Sequence, residues 1–255
     1  MVLFSSMALP SQPNGEPLSG RVALVTGAAK RLGRAVALRL AQEGADIVIH
    51  HRSSAAEARS TVAEIEKLGR RGVAIAADLT NISDIRRLFD ETAKKFGRLD
   101  ILINNGANFL HAEFESTSEQ TWDTSLDTNL KAPFFCAQAA APLLKQSRGV
   151  IINFADVGGI LGWTGYIPHC VSKAGVLMLT RCLAKELAPD VRVNAIAPGT
   201  VTMDGDPPEW ESDFIKRAPL RRSGRPSDIA GAVLFLIHSK FMTGQVLVVD
   251  GGRTL

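Results

Sequence analysis

The stretch Thr26-Gly27-Ala28-Ala29-Lys30-Arg31-Leu32-Gly33 joins an apolar, β-branched run to a helical pattern. Small residues let the backbone turn tightly there. The free amides and positive dipole end of the following helix suit a pyrophosphate. Further on, the second apolar run ends in His50-His51-Arg52-Ser53. An NAD site wants an acid at this place, about 20 residues past the glycine turn, to accept from the ribose 2′-hydroxyl. The nearest acids, Asp46 and Glu57, stand at the wrong end of the run and inside the next helical pattern. Arg31, His51, Arg52 and Ser53 can instead hold a 2′-phosphate through charge-assisted bonds. These residues predict an NADP(H) site, with Gly27, Lys30, Arg31, Leu32 and Gly33 forming its phosphate turn.

Elements in regular alternation must position these residues. Apolar runs at 21–26, 46–50, 73–77, 99–104, 150–154, 191–197 and 246–249 read as strands. Helical patterns at 32–43, 55–68, 83–96, 128–145, 168–187 and 227–238 separate most of them. Each strand is nearly continuous in apolar residues, as expected where helices cover both faces. Repeated βα units of this kind build a doubly wound, seven-stranded parallel sheet of the Rossmann type. The expected organisation is one α/β domain over 19–255, preceded by a flexible leader over 1–18. Residues 200–219 break the rhythm with Gly205, Pro207, Pro208, Trp210 and Pro219. Such a segment is either disordered or functional. Its place after the sixth strand favours a substrate lid.

The 255 residues carry 29 Lys+Arg against 26 Asp+Glu, a net charge of +3 that forms no nucleic-acid footprint. Cys136, Cys170 and Cys182 make an odd set with no C-x-x-C pair, which points away from disulfides or a zinc site and towards the cytoplasm. No apolar run is long enough to span a membrane, so neither a membrane nor a metal is expected.

The chain resembles the short-chain dehydrogenase/reductase family from Leu18 to Leu255. The glycine turn, Asp78, Asn104-Asn105, Asn129, Lys173 and Pro198-Gly199 carry the likeness. The family's Asn-Asn-Ala-Gly stands here as Asn104-Asn105-Gly106-Ala107. Within the family the chain is most similar to pteridine reductases, through the T-G-x-x-x-R-x-G turn, the His-Arg-Ser cluster and Asp156. The resemblance implies that Asp78, Leu79, Asn105, Gly106, Ala107, Lys173, Pro198, Gly199 and Val201 also contact NADPH. It implies too that Arg31, Phe109, Asp156, Tyr166 and Trp210 meet a pterin-like substrate. Phe109 is read as a ring stacking on that substrate, with a core position as its alternative. Homotetramers or dimers are implied, formed through the helices at 128–145 and 168–187.

One departure bears on chemistry. The family's proton donor is a tyrosine four residues before the lysine, but here His169 precedes Lys173 in Tyr166-Ile167-Pro168-His169-Cys170-Val171-Ser172-Lys173. Tyr166 is the only tyrosine, so no second Y-x-x-x-K exists. Spacing of four sets His169 and Lys173 on one helix face, and Pro168 suits the first helical turn. An imidazole titrating near about 6.5 is a competent acid. The expected mechanism pairs Asp156 with one ring nitrogen and turns the other towards the substrate. Lys173 would hold the nicotinamide ribose, Asn129 would join it through a water, and Tyr166 would line the pocket, with rotation into the donor role as its alternative. The expected function is NADPH-dependent reduction of pterins or dihydrofolate-like compounds. The alternatives are a ketone or quinone reductase and a silent NADPH-binding protein.

Overall fold

Seven strands lie parallel in one sheet, ordered β3-β2-β1-β4-β5-β6-β7. The computed structural model describes residues 16–255 apart from Asp204, Pro207 and Pro208. The strands are β1 (Val22–Val25), β2 (Asp46–His51), β3 (Gly72–Ala76), β4 (Ile101–Asn104), β5 (Val150–Phe154), β6 (Arg192–Pro198) and β7 (Val246–Val249). The helices are α1 (Arg31–Gln42), α2 (Ala55–Lys67), α3 (Ile82–Phe96), α4 (Glu119–Leu126), α5 (Ala132–Ser147), α6 (Gly158–Leu161), α7 (Ile167–Leu187), α8 (Glu209–Arg217) and α9 (Pro226–His238). This is the Rossmann-like arrangement expected from the alternating pattern.

Alternate residues of each strand feed two cores. Ala23, Ile47, Ile101 and Ile103 pack with Val36, Leu40, Ile65 and Val233 on the face of α1, α2 and α9. Leu24, Val48, Leu102 and Ile151 pack with Leu88, Phe89, Cys136, Ala140 and Leu183 on the face of α3, α5 and α7. Because both faces are covered, no strand in the middle of the sheet needs a polar side. Truncating a residue such as Leu102, fully buried, to alanine costs about 2–5 kcal/mol.

Strand order reverses between β1 and β4, and their carboxyl ends open a crevice where such sheets take ligands. Thr26 closes this point. Its Oγ1 accepts from the amides of Asn105 (2.9 Å) and Gly106 (2.8 Å), while Asn105 Nδ2 donates to Thr26 O at 2.8 Å.

Three expectations about the chain's ends and connections change. Leu18, assigned to the leader, is fully buried, and its amide donates to Glu43 O at 2.8 Å. The folded domain therefore reaches at least to residue 16; residues 1–15 lie outside the described ones. Within 200–219 the chain forms α8, whose Phe214 is buried together with Ala218 just beyond it. That apolar pair, four residues apart, gives the segment a packed face in place of the irregular path expected. The helical stretch expected to begin near Thr128 opens as a π-turn over Asp127–Lys131 before α5. Among the described residues no helix is long and apolar enough to cross a membrane.

Candidate active site

The glycine turn needs its glycines for room. Gly27 has φ +64°, and a Cβ there would lie 2.9 Å from Gly106 Cα. A Cβ on Gly33 would stand 2.5 Å from both Gly27 O and Asn105 Nδ2. Between them Arg31 takes φ +53°, a left-handed conformation that an L residue adopts at a cost of about 1–2 kcal/mol. Its guanidinium reaches Asp206, Nη1 to Oδ1 at 2.7 Å and Nη2 to Oδ2 at 3.0 Å.

A groove of about 560 Å³ runs along these loops. It brings together Gly27, Lys30, Arg31, Leu32, Gly33, His51, Arg52, Ser53, Asp78, Leu79, Asn105, Gly106 and Ala107. Lys30, Arg31 and Arg52 line it beside one acid, Asp78, with Arg31 also paired to Asp206. Thr80 donates to Asp78 Oδ1 from its amide (2.9 Å) and hydroxyl (2.8 Å), which holds that carboxyl below the usual range. At the β2 end, His51 Nδ1 is buried without a hydrogen-bond partner. Burial, then the nearby Arg59, lowers the pKa of that imidazole. An orphaned ring nitrogen, flanking cations and two glycines without space for a side chain suit a phosphate-bearing ligand.

The expected members Lys173, Pro198, Gly199 and Val201 do not line this groove. Pro198 O accepts from Val157 N, Gly199 N donates to Val249 O, and Val201 bridges Gly224. Those backbone bonds tie the β6 exit to its neighbours. The backbone of Trp210 lies in the first turn of α8, and its side chain lies outside the described features.

His169 sits in the first turn of α7, nearly completely buried. Its Nδ1 lies 3.3 Å from Asn108 O. A carbonyl only accepts, so Nδ1 carries the hydrogen. Nε2 has no hydrogen-bond partner, and Asp156 Oδ1 stands 3.9 Å from it. That is an ion-pair distance, beyond a direct hydrogen bond. The same Oδ1 accepts from Gly158 N at 2.6 Å. The expected division, one nitrogen for the carboxylate and the other for the substrate, is therefore corrected. Nδ1 is occupied by the backbone, and Nε2 is the ring atom left for both the carboxylate and a substrate.

Asn129, supplied by the π-turn, braces this arrangement. Its Oδ1 accepts from Asn108 N at 2.8 Å, and its Nδ2 donates to Asn108 O at 3.1 Å and Ser172 Oγ at 3.1 Å. Ser172 Oγ donates in turn to His169 O at 2.6 Å. Asn129 thus contacts the anchor of His169 directly. Lys173 Nζ donates to Phe154 O at 2.8 Å. Burial pushes its ammonium down to about 8, against the opposing pull of Asp156.

Aromatic rings wall the same corner. Phe109 stacks on Tyr166 with centroids 4.5 Å apart and meets His169 edge-on at 4.7 Å. Trp163 lies parallel to the His169 ring at 6.2 Å. Phe109 remains more than half exposed, so it is not a core residue, although Tyr166 covers one of its faces. Sequence reasoning missed Asn108, Ser172, Trp163 and His50. Only His50 had a legible signal, its place at the exit of the second strand.

The family model described as enoyl-(acyl carrier protein) reductase matches residues 27–254. The 3-oxoacyl-[acyl-carrier-protein] reductase FabG of Staphylococcus aureus is 38% identical over 237 residues, 90% of this chain and 96% of that protein. The short chain dehydrogenase of Burkholderia cenocepacia J2315, solved in complex with NADP, has a TM-score of 0.89 at 33% identity. That match covers 94% of this chain and 100% of the other. A blue fluorescent protein from a metagenomic library, solved in complex with NADPH, has a TM-score of 0.88 at 32% identity, with the same coverage.

Proposed function

This chain belongs to the short-chain dehydrogenase/reductase family, and on that premise we propose that it is an NADPH-dependent reductase of a pterin or similarly flat heteroaromatic. The observation that carries the substrate class is the corner built by Phe109, Tyr166 and Trp163 around His169, with the Asp156 carboxylate at its edge. Aromatic walls suit a planar ring, and such contacts add about 0.5–1.5 kcal/mol beyond buried area. A carboxylate beside them suits the amino and ring N–H donors of a pterin.

The NADP form of the cofactor is supported by the groove's own residues. Arg52, Ser53 and His51 suit a 2′-phosphate, and the 27–33 turn with Lys30 suits the pyrophosphate. Two of the solved relatives carry that cofactor. When bound, NADPH supplies a hydride to an electrophilic C=N carbon.

The matching proton comes from His169. In the doubly protonated ring, Nδ1–H stays on Asn108 O while Nε2–H points to the Asp156 side, where the carboxylate balances the imidazolium charge. Transfer from Nε2 to the reduced nitrogen leaves a neutral ring with its Nδ1–H bond intact. Asn129 fixes Asn108, and through it the ring. Lys173 contributes positive charge beside this site and the ribose contact the family resemblance implies. The product gains one hydride and one proton, which balances a two-electron reduction.

A second reading is favoured by the relative whose printed name is 3-oxoacyl-[acyl-carrier-protein] reductase. In that case the same Nε2 protonates an alkoxide. NADPH oxidation measured with dihydrobiopterin and dihydrofolate, against a 3-oxoacyl thioester and simple ketones, separates the two. Turnover confined to the thioester or ketones overturns the pterin reading. Tight NADPH binding without any turnover leaves a silent binder.

The assembly we propose is a homotetramer or dimer. Val171 and Met178 form an exposed apolar stripe on α7, and Phe134 stands exposed on α5. Packed helix faces of this kind can cover one another between copies.

A further inference from the structure

We propose that His50 is a positioning residue for the cofactor: its neutral imidazole, hydrogen on Nε2, sets the glycine turn to receive the dinucleotide phosphates. Two bonds define the ring's state independently. Gly27 N donates to Nδ1 at 3.1 Å, and an amide N–H can only donate, so Nδ1 is bare. Nε2 lies 3.0 Å from Ala77 O, and a carbonyl can only accept, so Nε2 carries the hydrogen. Both partners therefore select the same tautomer.

The main chain of His50 adds a third tie, since its carbonyl accepts from Ala28 N at 3.0 Å. Consecutive amides of the turn are thus held by one residue of β2, through ring and backbone. The ring also spans from the β1 exit to the β3 exit, joining two loops that floor the groove. Gly27 holds a left-handed φ of +64°, and a side chain there would meet Gly106 Cα, so no other residue type fits this point of the turn.

The surroundings keep the ring uncharged. Burial pushes its pKa down to about 4 against the opposing Ala77 bond, while neighbouring His51 adds to the lowering and Asp78 pulls the other way. A proton on Nδ1 would face the Gly27 N–H donor to donor. The residue is thus a fixed acceptor rather than a switch.

The inference rests on the NADPH reading and is tested through variants that separate hydrogen bonding from packing. In His50→Asn the side-chain oxygen stands near the place of Nδ1 and still accepts from Gly27. His50→Phe keeps the ring volume without an acceptor, and His50→Leu keeps neither. Titration of NADPH fluorescence is expected to give His50→Asn a Kd within about threefold of wild type. His50→Phe and His50→Leu are expected to weaken binding about tenfold or more, raising KM for NADPH more than they lower kcat. Near-native affinity in His50→Phe, with loss in His50→Asn, would assign the residue to packing and overturn the proposal. If a variant fails to fold, nitrogen NMR of the wild-type ring decides. A bare Nδ1 coupled to the Gly27 amide supports the proposal, and an Nδ1–H form overturns it. Wild-type protein that binds no NADPH removes the cofactor reading and this role with it. Native affinity retained in all three variants removes only the role of His50.

Discussion

Arg31 and Asp206, 175 residues apart in sequence, meet in two parallel bonds of 2.7 and 3.0 Å. The arginine was expected on the cofactor phosphates and substrate; it also latches the segment after β6 onto the glycine turn. Asp206 is held from below as well, its Oδ2 accepting from Met203 N at 2.9 Å. These bonds keep the Asp206 carboxyl below its ordinary range. With Arg31 half exposed, the pair contributes at most about 1 kcal/mol, or roughly fivefold in an equilibrium. Asp206→Ala releases the guanidinium for the ligand, so NADPH binding is expected to tighten about two- to threefold. Arg31→Ala is expected to weaken it about tenfold. Equal effects of the two changes in a fluorescence titration would show that the arginine serves only the latch.

Lys173 sets an alkaline limit. An exposed lysine titrates near 10.5, and burial brings this one to about 8. Below pH 8 it is charged in both folded and unfolded chains, and the full cost of burying the charge is present. Between 8 and 10.5 the folded chain has released the proton while the unfolded chain still holds it, so this group's contribution to stability rises. The gain is on the order of 3 kcal/mol and is absent in Lys173→Met. Activity moves the opposite way, falling above pH 8 as the positive charge is lost. Urea midpoints at pH 7.5 and 9.5 for the two proteins, beside a pH–rate profile, check both signs. A wild type whose midpoint changes with pH just as the variant's does would contradict the buried charge.

Asn129→Ala removes four bonds to Asn108 and Ser172. Leaving those buried groups unpaired is expected to cost about 1–3 kcal/mol. Turnover should fall at least about tenfold as the anchor of the His169 ring loosens. Thermal melts and steady-state rates read the two effects separately. Full activity in a destabilised variant would confine Asn129 to a structural part.

Met178→Asp places a charge in the exposed stripe of α7. Light scattering after size exclusion is expected to show smaller species than wild type. An unchanged mass would remove this face from the assembly.

Much of the architecture was legible because each strand is a short apolar run and each helix has its own stripe. β5 and β7 match their expected limits, and most other boundaries move by one or two residues. The glycine turn was equally clear, since a tight approach leaves room only for residues without bulk. The relations inside the site were less so. The Gly27–His50 bond spans 23 residues, His169–Asn108 spans 61 and Arg31–Asp206 spans 175. Each joins segments far apart in the chain, whose meeting is set by the sheet's order and not by local pattern. α8 was missed for another reason: the prolines and glycine before it dominate the signal, while its apolar face is short.

The most direct test of the account is NADPH oxidation with dihydrobiopterin by wild type and His169→Ala, each paired with an NADPH titration. The predicted result is a fall in turnover of about 10²–10⁴ in the variant, with cofactor affinity kept within about threefold. Undiminished turnover in His169→Ala would contradict proton delivery from Nε2 and return the donor's identity to another group.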